Sequence, residues 1–562
     1  MICFSTFGQF TLPAIIGDNM VLQQNHKVPI WGWAKPGKII SVIPGWSKNK
    51  VTTLTNNSGK WFLIIETPKA GGPFNIAIND IVLKNVMIGE VWLCSGQSNM
   101  QWTLPQSQNG DEEIKRSTNT MIRFFTVART FSDEPKKNCY GTWNQCNPST
   151  SKDFGAVAYY FGKVLSDALH VPVGLINSSW GGTPAEAWTR NEVLQANPEL
   201  EVYIKRCREN AERTKPGDLP FNQNSPSTLY NGMIAPLIPF SIRGAIWYQG
   251  ESNVPEPERY ETLFPAMIKN WREDWEEGDF PFYFVQIAPF NYEIPSSSAA
   301  LRDAQRKTLS LINTGMAVTL DIGDPNDIHP KNKKAVGRRL ALWALTHDYG
   351  VTGKTFSGPL YQSMQIENNA IRLRFSNADK GLFAKNNSLD YFEIADKNQI
   401  FVTATAKIDD SAVLVSSPLI KRPVAVRYSF QNTSEASLFN SDSLPASSFR
   451  TDDWTLNFEK AVISGRFNRS SKEWVIGMHS EHNPLEIKYD LEGYDPNRHC
   501  PVYKDSLKLR KSAQIRAVAF NGDVPSVYIA SLDIRNHLAI GIKPDMKSAY
   551  NDHYTGGGDG AL

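Results

Sequence analysis

The segment 89–100, GEVWLCSGQSNM, contains the first side chain that is placed to do chemistry. Its apolar run is typical of a buried strand, and Gly96 ends that run before a tight turn. Ser98 follows on the turn, among small and amide side chains, where a hydroxyl can act as a nucleophile. Alone, such a serine more often caps a helix after a strand, so its function depends on partners elsewhere in the chain.

Three later segments supply candidate partners: SSWGGTPAEAWT at 178–189, IWYQGESN at 246–253 and DIGDPNDIHPKNK at 321–333. A serine that cleaves an ester needs a base, an acid that orients the base, and hydrogen-bond donors for the oxyanion. His329 is the candidate base, since it lies in a loop just before a predicted helix. The other histidines lie at turns or helix ends, on a helix, or beyond residue 350.

Together these four segments resemble those of the sialate O-acetylesterase family, a branch of the SGNH hydrolases. The flanking runs LPAIIGDNMVLQQ, VPIWGWAKPGK and LPASSFRTDDW agree, so the resemblance covers residues 10–454. It implies an α/β fold, namely an SGNH-type α/β/α sandwich with a parallel sheet. It also implies removal of O-acetyl groups from carbohydrates through an acetyl-serine intermediate, with no metal and no cofactor. The motifs are much less specific for the sugar that carries the ester.

The acid that orients His329 is less clearly marked. Many SGNH enzymes have an aspartate three residues before the catalytic histidine, and this chain has Asn326 there. We predict that Asp327 takes the role, with Glu251 and Asp324 as alternatives. Some related acetylesterases resemble this chain in using a glutamate from the motif that contains Glu251. A carboxylate in this position fixes the tautomer of the imidazole and stabilises the imidazolium.

The oxyanion hole is predicted to combine the backbone N–H of Ser98 with that of Gly181 or Gly182. A glycine lets the backbone approach the tetrahedral oxygen without a Cβ in the way. SGNH enzymes also use an amide side chain as a third donor, and Gln249 or Asn253 is placed in sequence to supply it.

The side chains that flank these motifs are predicted to bind the substrate. Gln97, Asn99 and Trp180 would shape a small acyl pocket, and Trp102 would stack on a sugar face. Glu186 and Arg190 would line the sugar subsite, with Arg190 or Arg302 as partner for a sialic acid carboxylate. The predicted substrate-binding set is therefore Gln97, Asn99, Trp102, Trp180, Glu186 and Arg190.

Length and composition set the broad class. A chain of 562 residues is too long for one core and predicts three or four domains. The net charge of +2 argues against nucleic acid as a partner, and no apolar run is long enough to span a membrane.

Cys139 and Cys146 could form a loop disulfide or remain free thiols. The first ten residues lack the basic start of a signal peptide, so a secreted or periplasmic location is implied by the family alone.

The pattern of elements predicts five segments. Short β-rich runs in 1–85 indicate a β-sandwich, and strand–helix alternation in 86–350 indicates the catalytic domain. A β-rich domain packed on the catalytic unit is expected at 351–454. An accessory β-sandwich like those of immunoglobulin or fibronectin domains is expected at 455–541, and this segment resembles the C-terminal β-domain of chitobiase-like proteins. The tail 542–562 resembles a linker or the start of a discoidin-like domain. The chain would then be a piece of a longer protein.

The leading hypothesis is a carbohydrate O-acetylesterase acting on acetylated sugars, most consistent with 9-O-acetylated sialic acids. Acetylated plant polysaccharides such as xylan or xyloglucan are the alternative substrates. A glycan-binding protein without activity is a second class. A glycosidase, with Glu251 and Glu186 as its carboxylates, is a third, but it leaves Ser98 and His329 without a role. The sequence does not indicate an oligomeric state.

Overall fold

The protein is described by a computed structural model that covers residues 10–47, 49–213, 219–481 and 484–535. The chain forms two compact units. The first contains the described residues up to 292 and those from 296 to 452, and the second contains 293–295 and the described residues from 453 onwards. The finer division into five segments stays a prediction, and its last segment, 542–562, lies outside the described residues.

Seven strands open the first unit. They are β1 (Val21–Gln23), β2 (Lys27–Trp33), β3 (Ile39–Pro44), β4 (Val51–Leu54), β5 (Lys60–Glu66), β6 (Gly71–Ile78) and β7 (Ile81–Gly96). β5 shows the period of two that a half-buried strand requires, with Trp61, Leu63 and Ile65 buried and their neighbours exposed. β7 pairs antiparallel with β6 and then continues into the catalytic sheet. The predicted boundary at 85/86 therefore falls inside one continuous strand.

Six more strands complete the catalytic sheet: β8 (Asn119–Thr126), β9 (Trp143–Cys146), β10 (Val173–Ser179), β11 (Gly244–Tyr248), β12 (Phe282–Val285) and β13 (Thr314–Ala317). Their order is β13-β12-β11-β7-β10-β8-β9. All neighbours are parallel except β9, which runs antiparallel at the edge. In register, Gly96 lies opposite both Ser179 and Tyr248. The sequence motifs that follow β7, β10 and β11 therefore meet at one edge of the sheet.

The helices of the first unit are α1 (Ser98–Gln101), α2 (Gly110–Lys115), α3 (Pro148–Ser151), α4 (Ala156–Leu169), α5 (Asn191–Ala196), α6 (Glu201–Glu212), α7 (Pro257–Trp275), α8 (Ser297–Lys307) and α9 (Lys333–His347). Trp92 and Cys94 of β7 belong to the core beneath α4 and α9, whereas Val91 and Leu93 belong to the core beneath α7 and α8. Apolar side chains on both faces of a parallel sheet require helices on both faces. The predicted α/β fold, an SGNH-type α/β/α sandwich, is confirmed.

Two predicted strands are longer than the observed ones. We expect strands at 281–288 and 315–322, but β12 ends at Val285 and β13 at Ala317. The apolar run continues because Val318 and Leu320 remain buried after the ladder ends. The residues predicted as strand beyond the ends of β12 and β13 are apolar because they are buried, and not because they pair with a neighbouring strand.

A β-rich segment completes the first unit. Its strands are β14 (Leu360–Glu367), β15 (Ala370–Ser376), β16 (Leu382–Ala384), β17 (Phe392–Ala395), β18 (Phe401–Thr403), β19 (Thr405–Asp409), β20 (Ala412–Ser416), β21 (Ala425–Tyr428), β22 (Leu438–Asn440) and β23 (Phe449–Arg450). They pair antiparallel in three sheets around a core of their own. Arg302 of α8 is fully buried and donates to the carbonyls of Ser429 and Gln431, which joins the catalytic helices to this segment.

The strands of the second unit pair antiparallel in its described part. Its strands are β24 (Ala461–Asn468), β25 (Glu473–Ser480), β26 (Glu486–Asp490), β27 (Leu507–Leu509), β28 (Ala513–Asn521), β29 (Val524–Pro525) and β30 (Ala530–Ile534). Ile476, Ile515 and Ala517 lie in a separate apolar core.

The cysteines that the structure describes are all thiols. Cys139 and Cys146 are buried and do not form the loop disulfide that the sequence allowed. Burial raises the pKa of Cys139 to about 11 and that of Cys146 to about 12, so both stay protonated at neutral pH. Within the described ranges, no helix has the length and apolarity needed to cross a membrane.

Candidate active site

Ser98 lies at the carboxyl edge of the sheet, directly after β7. Gly96 has φ +139°, and a Cβ there would lie 2.1 Å from the carbonyl oxygen of Tyr248. Only glycine fits this turn, which delivers Ser98 to the first position of α1. Backbone N–H groups in a first helical turn lack partners within the helix. Both the hydroxyl and the N–H of Ser98 are therefore placed for chemistry.

His329 contacts the nucleophile candidate directly. Its Nε2 lies 2.9 Å from the Oγ of Ser98. Burial and the positive charge of Lys333 lower the pKa of His329, and Asp327 opposes them in part. The imidazole is therefore neutral at pH 7 and able to accept the serine proton.

Trp102 supports the histidine. Its indole stacks on the imidazole of His329, with centroids 4.6 Å apart and an interplanar angle of 18°. We expected this ring to stack on a sugar face. The structure instead assigns one face of it to the base, which restricts rotation of the imidazole.

Of the three candidate acids, Asp327 is the one at the imidazole. Its Oδ1 lies 3.7 Å from Nδ1 of His329 and accepts the backbone N–H of that residue at 3.0 Å. The first distance is longer than a hydrogen bond, and such contacts often tighten when substrate binds. Among the described residues, no other carboxylate lies within ion-pair distance of the ring. Asp324 instead accepts the backbone N–H of Asn326 and closes the turn.

Glu251 belongs to a buried polar cluster behind the nucleophile. Its Oε1 accepts from Asn99 Nδ2 at 2.5 Å, and Asn99 Nδ2 also donates to the carbonyl of Ile328 at 3.0 Å. Asn99 is fully buried, so it cannot line an acyl pocket as expected. It instead ties the turn of Ser98 to the loop that presents His329.

Lys333 completes this cluster and was missed from the sequence. It is fully buried, and its Nζ donates to Oδ1 of Asn99. Its Nζ also lies 5.4 Å from the ring centroid of Trp102 and 5.3 Å from that of Tyr248. Burial lowers the pKa of Lys333 to about 7, although Glu251 acts in the opposite direction. In sequence, PKNK reads as an exposed helix start, so no local signal marks this lysine.

Gly181 lies against the nucleophile. A Cβ on Gly181 would be 3.3 Å from the Cβ of Ser98, so its backbone borders the reacting hydroxyl. Its N–H donates to Oε1 of Gln101 at 2.7 Å. Gly182 has φ +74° with open space where a Cβ would stand, which is the geometry of a turn. Gln101 is a second site residue that the sequence did not indicate.

The two amides predicted as oxyanion donors are used elsewhere. Gln249 Nε2 donates to Asn253 Oδ1 at 2.6 Å and to the carbonyl of Thr183 at 3.3 Å. Asn253 Nδ2 donates to Oε2 of Glu186 at 2.9 Å. All three polar side chains are buried, and burial raises the pKa of Glu186 to about 7. This arrangement does not fit donation to an oxyanion by Gln249 or Asn253, or sugar binding by Glu186.

Three further candidates also hold the structure together. Gln97 is buried, and its Oε1 accepts the backbone N–H groups of Gly250 and Ser252. Arg190 makes ion pairs with three carboxylates, those of Asp274, Glu192 and Glu273. Arg302 is buried beneath the β-rich segment. Backbone N–H groups of the protein thus occupy the amide oxygen of Gln97, and carboxylates or carbonyls of the protein hold Arg190 and Arg302.

Trp180 is one of the predicted binding residues that remain half-exposed, and it lies beside the nucleophile candidate. Its backbone N–H donates to the carbonyl of Gly96 at 3.0 Å. The guanidinium of Arg129 lies 5.6 Å from the centroid of its ring. The ring is thus held at the edge of the sheet, next to Gly181.

By its α/β/α fold and the contact between Ser98 and His329, the chain is an SGNH-type hydrolase. The sequence model of a carbohydrate esterase family, the sialic acid-specific acetylesterases, matches residues 88–346. The sialate O-acetylesterases of Homo sapiens and Pongo abelii are each 32% identical over 399 residues, covering 64% of this chain and 74% of theirs. A crystal structure of a carbohydrate acetylesterase from Xanthomonas citri is 35% identical with a TM-score of 0.72, covering 79% of this chain and 100% of that one. The chain belongs to the sialate O-acetylesterase family and is an esterase.

Proposed function

We propose that this protein removes O-acetyl groups from sialic acids, with Ser98 as nucleophile and an acetyl-serine intermediate. The observation that carries the proposal is the 2.9 Å contact between Ser98 Oγ and His329 Nε2 at the carboxyl edge of the sheet. A hydroxyl needs an adjacent base to become a nucleophile at neutral pH. The neutral imidazole of His329 supplies that base.

The reaction proceeds in two acyl transfers. His329 Nε2 takes the proton of Ser98 Oγ as the oxygen attacks the acetyl carbonyl carbon. The tetrahedral intermediate collapses, and the sugar oxygen leaves with the proton from His329. Water then gives a proton to His329 and attacks the acetyl-serine. Acetate leaves, and Ser98 recovers the proton. Asp327 stabilises the imidazolium in both steps.

The backbone N–H groups of Ser98 and Gly181 are the proposed donors to the oxyanion. The N–H of Gly181 donates to the side-chain Oε1 of Gln101 at 2.7 Å. The developing oxyanion would therefore have to replace Oε1 as the acceptor of this N–H. An oxyanion accepts a stronger hydrogen bond than a neutral amide oxygen does, which favours the exchange. The hydrogen bond from the Gly181 N–H would then be stronger in the transition state, where the oxyanion charge develops, than in the free enzyme.

Sialic acids are the proposed substrates because the curated relatives are sialate O-acetylesterases. Acetylated plant polysaccharides remain the competing substrate class, since the Xanthomonas citri protein is named only as a carbohydrate acetylesterase. Glycosidase chemistry is not favoured, because Glu251 and Glu186 are each bonded to a buried asparagine. A secreted or periplasmic location is proposed on the family alone.

The decisive experiment measures acetate release from 9-O-acetyl-N-acetylneuraminic acid, 4-nitrophenyl acetate and acetylated xylan. Ser98→Ala and His329→Ala are each expected to lower kcat by at least ~10⁴, as removing a member of such a catalytic set does. Ser58→Ala, in an exposed turn, is the matched serine control. His170→Asn is the histidine control, since residue 170 is exposed with φ 55° and asparagine accepts that conformation.

The outcomes separate the competing functions. Full activity of Ser98→Ala on every ester would rule out the serine mechanism. A wild type that releases acetate from xylan but not from the sialic acid would support the polysaccharide alternative. A wild type that binds acetylated sugars without releasing acetate would indicate a glycan-binding protein.

A further inference from the structure

A half-exposed aromatic wall stands beside the nucleophile, formed by Trp180, Phe131 and Phe221. The ring centroids of Phe131 and Trp180 lie 6.3 Å apart, and those of Phe131 and Phe221 lie 5.9 Å apart. Trp180 immediately precedes Gly181, which borders Ser98. Aromatic faces of this kind pack against the apolar faces of sugar rings. The wall is therefore placed to hold the sugar whose ester reaches Ser98.

Arg129 adds a positive charge to this wall. It lies in the loop after β8, which is the neighbour of β10 in the sheet, and its guanidinium carbon is 5.6 Å from the centroid of Trp180. Arg129 is exposed, and no carboxylate in the described part of the chain lies within ion-pair distance of it. By contrast, Arg190 is neutralised by three carboxylates and Arg302 is buried. Of Arg129, Arg190 and Arg302, Arg129 is thus the one whose charge is exposed and has no carboxylate of the described chain beside it.

We propose that Arg129 binds the carboxylate of an acidic sugar whose ring packs against Trp180, so that this pair selects sugar acids over neutral sugars. A guanidinium matches a carboxylate with two parallel N–H···O hydrogen bonds. The cation over the indole also fixes the direction from which the carboxylate approaches. This inference rests on the proposed function, because it concerns the substrate of the same nucleophile.

The test compares two esters that differ only in the carboxylate: 9-O-acetyl-N-acetylneuraminic acid and its C1 methyl ester. The measured quantity is the ratio of kcat/KM for the acid to that for the methyl ester. Wild type is expected to favour the acid, and Arg129→Gln to reduce the ratio by about 10-fold or more, since a hydrogen bond to a charged group is lost. Arg129→Lys should give an intermediate ratio, because it keeps the charge but not the paired donors. Higher salt should reduce the wild-type ratio.

Arg338→Gln is the matched control, since Arg338 is exposed on α9 and its change removes the same charge. It is expected to keep the wild-type ratio. An unchanged ratio in Arg129→Gln, with wild type favouring the acid, would overturn the role of Arg129 and leave the proposed function intact. A wild type that cleaves 4-nitrophenyl acetate but neither sialic acid ester would instead overturn the proposed substrate, and this inference with it.

Discussion

In the proposed mechanism, the reactivity of Ser98 depends on how neighbouring charges set the protonation of His329. Burial and Lys333 favour the neutral imidazole, whereas Asp327 favours the imidazolium. This balance keeps the base unprotonated over most of the physiological pH range and still stabilises the charge that forms during attack. Lys333 acts on His329 through its charge, from a buried position against Asn99.

These charges predict the pH profile and the identity of the acid. Only neutral His329 can accept the proton, so activity should rise with pH through a midpoint below 6.5, the ordinary histidine pKa. Asp327→Asn should lower kcat by about 10²–10⁴. It should also move the midpoint of kcat/KM to lower pH, because the group that raises the pKa of His329 is removed. Profiles on 4-nitrophenyl acetate measure both effects.

Asp324→Asn is the control for Asp327, because it changes the same kind of side chain in the same loop. Asp324→Asn should leave the midpoint of the kcat/KM profile at its wild-type pH. A profile that moves with Asp324→Asn and not with Asp327→Asn would show that the assignment is wrong. The sequence marked both aspartates, and of the two only Asp327 lies within ion-pair distance of the imidazole.

At the scale of elements, the site is assembled by strand ends and by the turns after them. β7, β10 and β11 end in register, so Gly96, Ser179 and Tyr248 lie side by side. Apolar runs within the strand–helix alternation of 86–350 predicted these strands from the sequence. The crowding around Gly96 was not predictable, because it depends on the carbonyl of a strand that lies distant in sequence.

This crowding gives a stability prediction. Gly96→Ala would place a Cβ 2.1 Å from the Tyr248 carbonyl at φ +139°, so the strand ends must separate. We expect a loss of more than about 2 kcal/mol in the free energy of unfolding, with loss of esterase activity. Gly278→Ala is the control, since φ is +68° there and a Cβ would meet nothing within 4 Å. It should cost only about 1–2 kcal/mol and keep activity.

Urea unfolding followed by tryptophan fluorescence measures both changes. Equal losses for Gly96→Ala and Gly278→Ala would show that backbone conformation alone, and not the contact with β11, makes glycine necessary at position 96.

At the scale of the whole molecule, the described chain has two units with separate apolar cores. Within the first unit, Arg302 joins the catalytic layers to the β-rich segment through the carbonyls of Ser429 and Gln431 and the hydroxyl of Ser448. Burial lowers the pKa of Arg302 to about 10, so it remains charged at neutral pH. Its loss would leave buried acceptors without donors.

Calorimetry can test this architecture. Arg302→Ala is expected to destabilise the first unit by about 3–5 kcal/mol and to lower the Tm of its transition, while the transition of the second unit stays in place. Arg422→Ala, at an exposed position in the β-rich segment, should change stability by less than about 0.5 kcal/mol. A single transition that shifts as a whole with Arg302→Ala would instead show that the two units unfold together.

The sequence by itself determined the layers of the fold and marked the residues of the proposed chemistry. Alternating strands and helices predict a parallel sheet, and the motifs around Ser98 and His329 mark which loops meet at its edge. These features are local, since they follow from periodicity, turn residues and short spacings. Only the tertiary structure decided how the polar side chains are used. Lys333 is buried. Seven residues predicted for the site form hydrogen bonds or ion pairs within the protein: Gln97, Asn99, Gln249, Asn253, Glu186, Arg190 and Arg302. Hydrogen-bond partners for buried groups come from segments distant in sequence, so spacing cannot reveal whether a polar residue faces the substrate or the core.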